Sequence, residues 1–264
     1  MVNKVNKSKD LWFYYKVITT VLILSAVLGV YLYHMITRTW VRASDYPFNY
    51  WLFQGNFFSY FTYQSNIIVG VWFLIAAIYH NKPNKIIDNQ NVRLAITCYI
   101  SVTCFIFLIV LMPGLFFFED SISFFEIFGL LFFHVFSPIL MIVYTLTHVV
   151  PMKMKASQYY QKSFWLYLLY PVGYTLFLVI RLIVYSNIST LKNVPLVLVY
   201  PYLPILPTED IGTIITNSHL IVFLMTVFFV VVYIAFIAFN FIYFFSIKKI
   251  AGNQKKARKK ASSY

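Results

Sequence analysis

Six apolar runs, each long enough to cross a bilayer, set the terms for everything else in this sequence. They lie near 12–34, 57–79, 93–114, 124–147, 164–186 and 218–246. A helix needs about 20 residues to cross a hydrocarbon core of about 30 Å. Of the 264 residues, 61% are hydrophobic and 11% are charged, where a soluble domain carries about 25% charged residues. No polar stretch is long enough to hold a soluble domain. The expected fold class is therefore all-α: a polytopic membrane bundle of six transmembrane helices over residues 1–246, with a basic tail over 247–264. In lipid each backbone polar group must be satisfied within the protein, and helices do this alone. The 28 Phe and 22 Tyr suit a surface that meets acyl chains and headgroups.

The first run follows Lys4, Lys7 and Lys9, as a secretory signal does. It continues to about Met35 without a clean small-residue cleavage site, so an uncleaved anchor is expected. Lys and Arg fix the orientation. The N-terminal segment, the second and fourth connections and the C-terminus hold 17 of the 21, while the other side holds Arg38, Arg42 and Lys192. Alternation in every connection supports an even number of spans, both ends in the cytoplasm, and a multi-pass protein of the cell membrane.

The net charge of +13 is concentrated in Lys248, Lys249, Lys255, Lys256, Arg258, Lys259 and Lys260. A nucleic-acid binder needs such charge on a folded face with base-reading aromatics; an apolar body with a basic tail points instead to anionic headgroups. The tail is expected to be disordered. Cys98 and Cys104 are the only cysteines, too far apart along a helix for a disulfide and too few for a metal site. No cofactor is implied. No internal repeat relates the first three runs to the last three, which weakens an inverted-repeat transporter.

Polar groups within apolar runs are the functional candidates, because hydrocarbon makes them expensive. The second run opens with Ser59-Tyr60-Phe61-Thr62-Tyr63-Gln64-Ser65-Asn66, and on a helix Ser59, Thr62 and Asn66 share a face. Taken alone, interhelical hydrogen bonding, common for Ser, Thr and Asn in bundles, is the more ordinary reading of such residues. His134 lies mid-run, as a neutral packing residue or a working one, and Pro138 should free the His134 carbonyl. In the fifth run Tyr170, Tyr174 and Arg181 project from about one side. Arg181 fits a pair with Glu126, snorkelling, or an anchor for a lipid carboxylate or phosphate. Val199-Tyr200-Pro201-Tyr202-Leu203-Pro204, with Pro207, suggests a structured cap over the bundle mouth.

Four motifs in this order resemble the androgen-induced and ADTRP-like six-span membrane hydrolases and their bacterial relatives. They are Phe58 to Asn66, His134-Val135-Phe136-Ser137-Pro138, Tyr170-Pro171-Val172-Gly173-Tyr174 and Tyr200-Pro201-Tyr202. The resemblance implies hydrolysis of lipid esters, fatty acid esters of hydroxy fatty acids in that family. It implies a threonine nucleophile and a histidine base, here Thr62 and His134. The Gln64-Ser65-Asn66 that follows Thr62 departs from the animal enzymes.

A threonine hydroxyl needs an adjacent base, and a neutral imidazole is the correct form of one. Because helical N–H groups are committed to the helix, side chains are expected to stabilise the oxyanion, Asn66 first and Tyr174 second. Counted from the span ends at about 1.5 Å per residue, Thr62 lies about 8 Å deep and His134 about 16 Å deep. Contact requires that this gap close. The expected partners are membrane lipids and a lipid ester; the competing readings are a small-solute or lipid transporter or channel, and a non-catalytic scaffold.

Overall fold

The computed structural model describes residues 10–41, 44–113, 124–152, 154–187, 194–199 and 218–261, which are helical apart from connections and contain no strand. Six of the described helical stretches are long and apolar enough to span a membrane: Leu11–Thr37, Phe61–Ile78, Gln90–Ile109, Ile127–Thr147, Ala156–Tyr185 and Thr226–Ala261.

Helix α1 (Leu11–Thr37) starts where Asp10 accepts the Trp12 N–H, and stops at Arg38, whose φ of 56° is left-handed. A short helix α2 (Tyr50–Phe57) is capped by Asn49 through the Trp51 and Leu52 N–H groups. The expected second span begins at residue 57, but the chain turns at Phe58 to Tyr60 and restarts as α3 (Phe61–Ile78). The Ser59 hydroxyl bonds the Asn56 carbonyl at 2.6 Å, a local bond that competes with helix continuation. Ser59 therefore does not share the Thr62–Asn66 helix face.

Helix α4 (Gln90–Ile106) is the most enclosed span and runs into a π-helical turn at Phe107–Leu111. The fourth span is α5 (Phe124–Leu131), a π turn (Phe132–Phe136) and α6 (Ser137–Thr147). The fifth is an opening turn (Ala156–Gln158), a π turn (Tyr159–Ser163) and α7 (Phe164–Asn187). A single helical turn, α8 (Leu196–Val199), precedes α9 (Ser218–Ala261).

Helices α1 and α3 pack against each other, with Gly70 at the contact, where an added Cβ would stand 2.6 Å from Leu24 Cδ2. At the end where α1 begins, His80 links Asp10 (2.8 Å) to the buried Lys16 amine (2.9 Å). Arg93 lies there too, bonded to the His148 carbonyl and over the Trp72 and Tyr144 rings. Helix α9 lies along α4, joined by Ser101 to Tyr243 (2.8 Å).

The tail corrects an expectation. Helix α9 passes residue 246 unbroken and ends at Ala261. Lys, Arg, Gln and Ala are good helix formers, and the apolar span supplies a nucleus that a free tail would lack. Of the outer-loop cap, α8 is described, with Leu198 and Val199 packed in one cluster with Val27, Trp40, Phe53 and Phe57. Tyr200 to Pro207 lie outside the described residues.

Candidate functional site

Thr62 and His134 meet. Thr62 Oγ1 lies 3.1 Å from His134 Nε2, and both residues are buried. Thr62 is the second residue of α3, which starts at Phe61 rather than residue 57, and His134 lies in the π turn of the fourth span, so depth counted along each span was no measure of their separation. A π turn re-aims side chains within a helix and recurs at functional sites.

Two contacts orient the imidazole. His134 Nδ1 lies 2.8 Å from the Leu130 carbonyl oxygen. A carbonyl only accepts, so Nδ1 carries the proton, and in the neutral ring Nε2 is left to accept from Thr62. Phe107 stacks on the ring at 4.5 Å between centroids and 21° between planes.

The backbone around Pro138 differs in register from expectation. The Ser137 N–H reaches back to the Phe132 carbonyl, a five-residue step. In that register the carbonyl facing the N–H that Pro138 lacks belongs to Phe133, not His134. Asn66 Nδ2 donates to it at 3.1 Å and to the Thr62 carbonyl at 2.8 Å. Both amide hydrogens are thus in use, which corrects the role expected for Asn66: it positions the two helices that carry Thr62 and His134.

The remaining candidates are equally specific. The Tyr174 hydroxyl donates to the Ser59 carbonyl at 2.7 Å, and the Tyr170 hydroxyl to Gln64 Oε1 at 3.0 Å. Tyr174 thus contributes its ring to the site and commits its hydroxyl to the turn before α3. Arg181 shares that side of α7 but not the site. It donates to the Val199 and Leu198 carbonyls at 2.9 and 3.2 Å and lies over the Tyr185 ring. Glu126, its expected partner, has its side chain outside the described residues. Arg181 therefore fastens α8, together with Asn56, which donates to the Leu198 carbonyl at 2.9 Å.

The premise that helical N–H groups are all committed fails at Thr62 as well. The first turn of a helix has N–H groups with no carbonyl four residues back within it. Tyr60 caps α3 without a side-chain bond, and Gln64 is the first residue to bond its carbonyl.

A narrow, partly open cleft with about 30 Å³ of free space passes the Thr62–His134 pair. Phe61, Val102 and Ile106 line its inner part; Pro171, Tyr174 and Thr175 line one wall; Phe228, Phe229 and Val232 line the other. Thr103 also lines it and bonds Ser65 at 2.9 Å between hydroxyls. Sequence reasoning missed Thr103 and Phe107. Thr103 carried a signal, a hydroxyl in an apolar run; Phe107 carried none. No group of three His, Cys, Asp or Glu side chains able to hold a metal occurs among the described residues.

No family model matches this chain, and no curated protein or solved structure is significantly similar to it. The likeness to the androgen-induced family rests on its four short motifs.

Proposed function

We propose that the protein is an intramembrane lipid ester hydrolase or acyl transferase, with Thr62 as nucleophile and His134 as base. One observation carries this reading: a threonine hydroxyl on the unprotonated nitrogen of an oriented, buried histidine, at the head of an apolar cleft. Thr62 Oγ1 attacks the ester carbonyl while His134 Nε2 takes its proton. The proton then passes to the departing alkoxide, leaving the acyl group on Thr62 and a free alcohol. Water, or a second alcohol, attacks the acyl carbonyl as His134 takes its proton, and His134 returns that proton to the departing Thr62 Oγ1, releasing the acyl group as acid or new ester. The Thr62 N–H, in the first turn of α3 and reinforced by the positive end of the helix, would donate to the oxyanion. The substrates are membrane lipids with fatty-acyl esters, and the protein sits in the cell membrane with both termini in the cytoplasm.

The competing reading is a scaffold in which the same hydrogen bond only ties two spans together. Ester cleavage by purified protein separates them. Thr62→Ala is expected to abolish cleavage with the fold intact, and Thr62→Ser to retain it. His134→Gln should lose about 10²- to 10⁴-fold, the range of a general base. A fluorophosphonate probe should modify Thr62 in the wild type and not in His134→Gln. Full cleavage by Thr62→Ala would end the proposal.

A further inference from the structure

The cleft has a side. Helix α7 meets its neighbours through side chains, Tyr170 on Gln64 and Tyr174 on Ser59, and packs on α9 where Phe164 and Leu168 share a cluster with Ala235, Phe236 and Phe244; farther along the pair, the cleft lies between them. Pro171 and Thr175 form one jamb of the resulting slot, and Phe228, Phe229 and Val232 the other. Outside it the helices are apolar and exposed: Leu176 and Ile180 on α7, Val227, Val230 and Ile234 on α9. Such a surface faces acyl chains in a membrane bundle. Across the slot, the Thr175 and Tyr233 hydroxyls bond at 2.9 Å, and Thr175 also bonds the Pro171 carbonyl at 3.0 Å. Thr175 lines the cleft and Tyr233 is half-buried.

We infer that a lipid acyl chain reaches Thr62 and His134 sideways from the bilayer, through the slot between α7 and α9, and that the Thr175–Tyr233 hydrogen bond latches this portal. The inference rests on the ester-cleavage reading for what happens inside, but not for the passage itself. The occupant follows from the surroundings: the slot is walled by apolar side chains apart from the Thr175 and Tyr233 hydroxyls, which bond each other, and it opens onto exposed apolar helix faces. A headgroup or a soluble solute would lose its hydration there without polar partners in return. The latch follows from chemistry too. Two hydroxyls in hydrocarbon satisfy each other, and one such interhelical bond is weak enough to open thermally.

The test uses vesicles of a phosphatidylcholine carrying a photoreactive diazirine midway along one acyl chain. After irradiation, adducts are mapped along α7 and α9 by mass spectrometry. The wild type should carry adducts on Phe228, Phe229 or Val232 as well as on the outward Val227, Val230 and Ile234. Tyr233→Phe and Thr175→Val each remove the bond with little change of volume. Each should raise the ratio of slot to outward adducts by about three-fold, the size expected for one interhelical hydroxyl bond in a membrane bundle. Adducts confined to the outward residues in all three proteins would overturn the portal. Equal slot labelling in all three would overturn the latch. Labelling needs no chemistry at Thr62, so a labelled slot in a protein without ester cleavage sinks the hydrolase reading alone. Cleavage with an unlabelled slot sinks the portal alone.

Discussion

Asn66 shows what one side chain decides. Its two neighbours, the Thr62 and Phe133 oxygens, are both acceptors, so the amide nitrogen faces them and Oδ1 turns away, buried and without a hydrogen-bond partner. Replacing Asn66 by Ala leaves the Phe133 carbonyl unsatisfied, at a cost of about 1–3 kcal/mol. Asn66→Asp should be worse, because it turns a donor into an acceptor against two oxygens. Thermal unfolding in detergent should rank wild type above Asn66→Ala above Asn66→Asp; an Asp variant as stable as the Ala variant would reverse this orientation. Thr62 and His134 were legible in the sequence because hydrocarbon makes any hydroxyl or imidazole conspicuous. The work of Asn66 was not legible, since it depends on a π register at Phe132–Phe136 that local propensity does not encode. Arg181 misled for the same kind of reason: its partners are backbone carbonyls of α8, invisible in a list of side chains.

Between elements, the α1–α3 pair fixes where the head of α3 sits, and with it Thr62. Gly70 permits the close approach: a Cβ there would fall 2.6 Å from Leu24 Cδ2 and 3.3 Å from Ile23 Cγ2. Gly29, on α1, has nothing within 4 Å of such a Cβ. Gly70→Val should therefore destabilise by about 1–3 kcal/mol through overpacking, whereas Gly29→Ala should be neutral or stabilise slightly. Melting temperatures of the two variants check this; equal values would mean that α1 moves freely on α3. The N-terminal end of α1 is pinned separately. The Trp12 N–H bond, with His80 beside it, holds the Asp10 carboxyl below its ordinary pKa. Its contribution is complete above the ordinary carboxylate value and disappears as pH falls through the lowered one. The existence of α1 and α3 was plain from their apolar length. The break before Phe61 was not, because the span was placed from residue 57 on apolar length alone and the stop depends on Ser59 bonding back to Asn56.

For the whole molecule, sequence reports solvent more directly than shape. Six spans were legible because length and composition answer one question, whether a segment can live in hydrocarbon. The C-terminal tail was misjudged because dense like charge argues for disorder, while attachment to a finished helix argues against it. With 44 residues, α9 measures about 66 Å at about 1.5 Å per residue, roughly twice the hydrocarbon core. From Gly252 to Ala261 it is exposed on all sides. Lys248, Lys255 and Lys259 follow one stripe, and Lys249, Lys256 and Lys260 follow another about 100° around the helix. Ile247, Ile250, Ala257 and Ala261 lie away from both. Arg258 lies about 80° beyond the first stripe, beside Ile247, so the cations cover about 200° of the helix and Ile250, Ala257 and Ala261 the rest. Such a helix can lean onto anionic headgroups, each cation near the surface contributing about 1 kcal/mol. Amide hydrogen exchange over 247–261, in the full-length protein in nanodiscs, measures this directly. Exchange should slow when phosphatidylserine replaces phosphatidylcholine, and the difference should vanish near 1 M salt, where the screening length falls to about 3 Å. Identical exchange in both lipids at low salt would show that the helix stands clear of the surface and that its charge serves another partner.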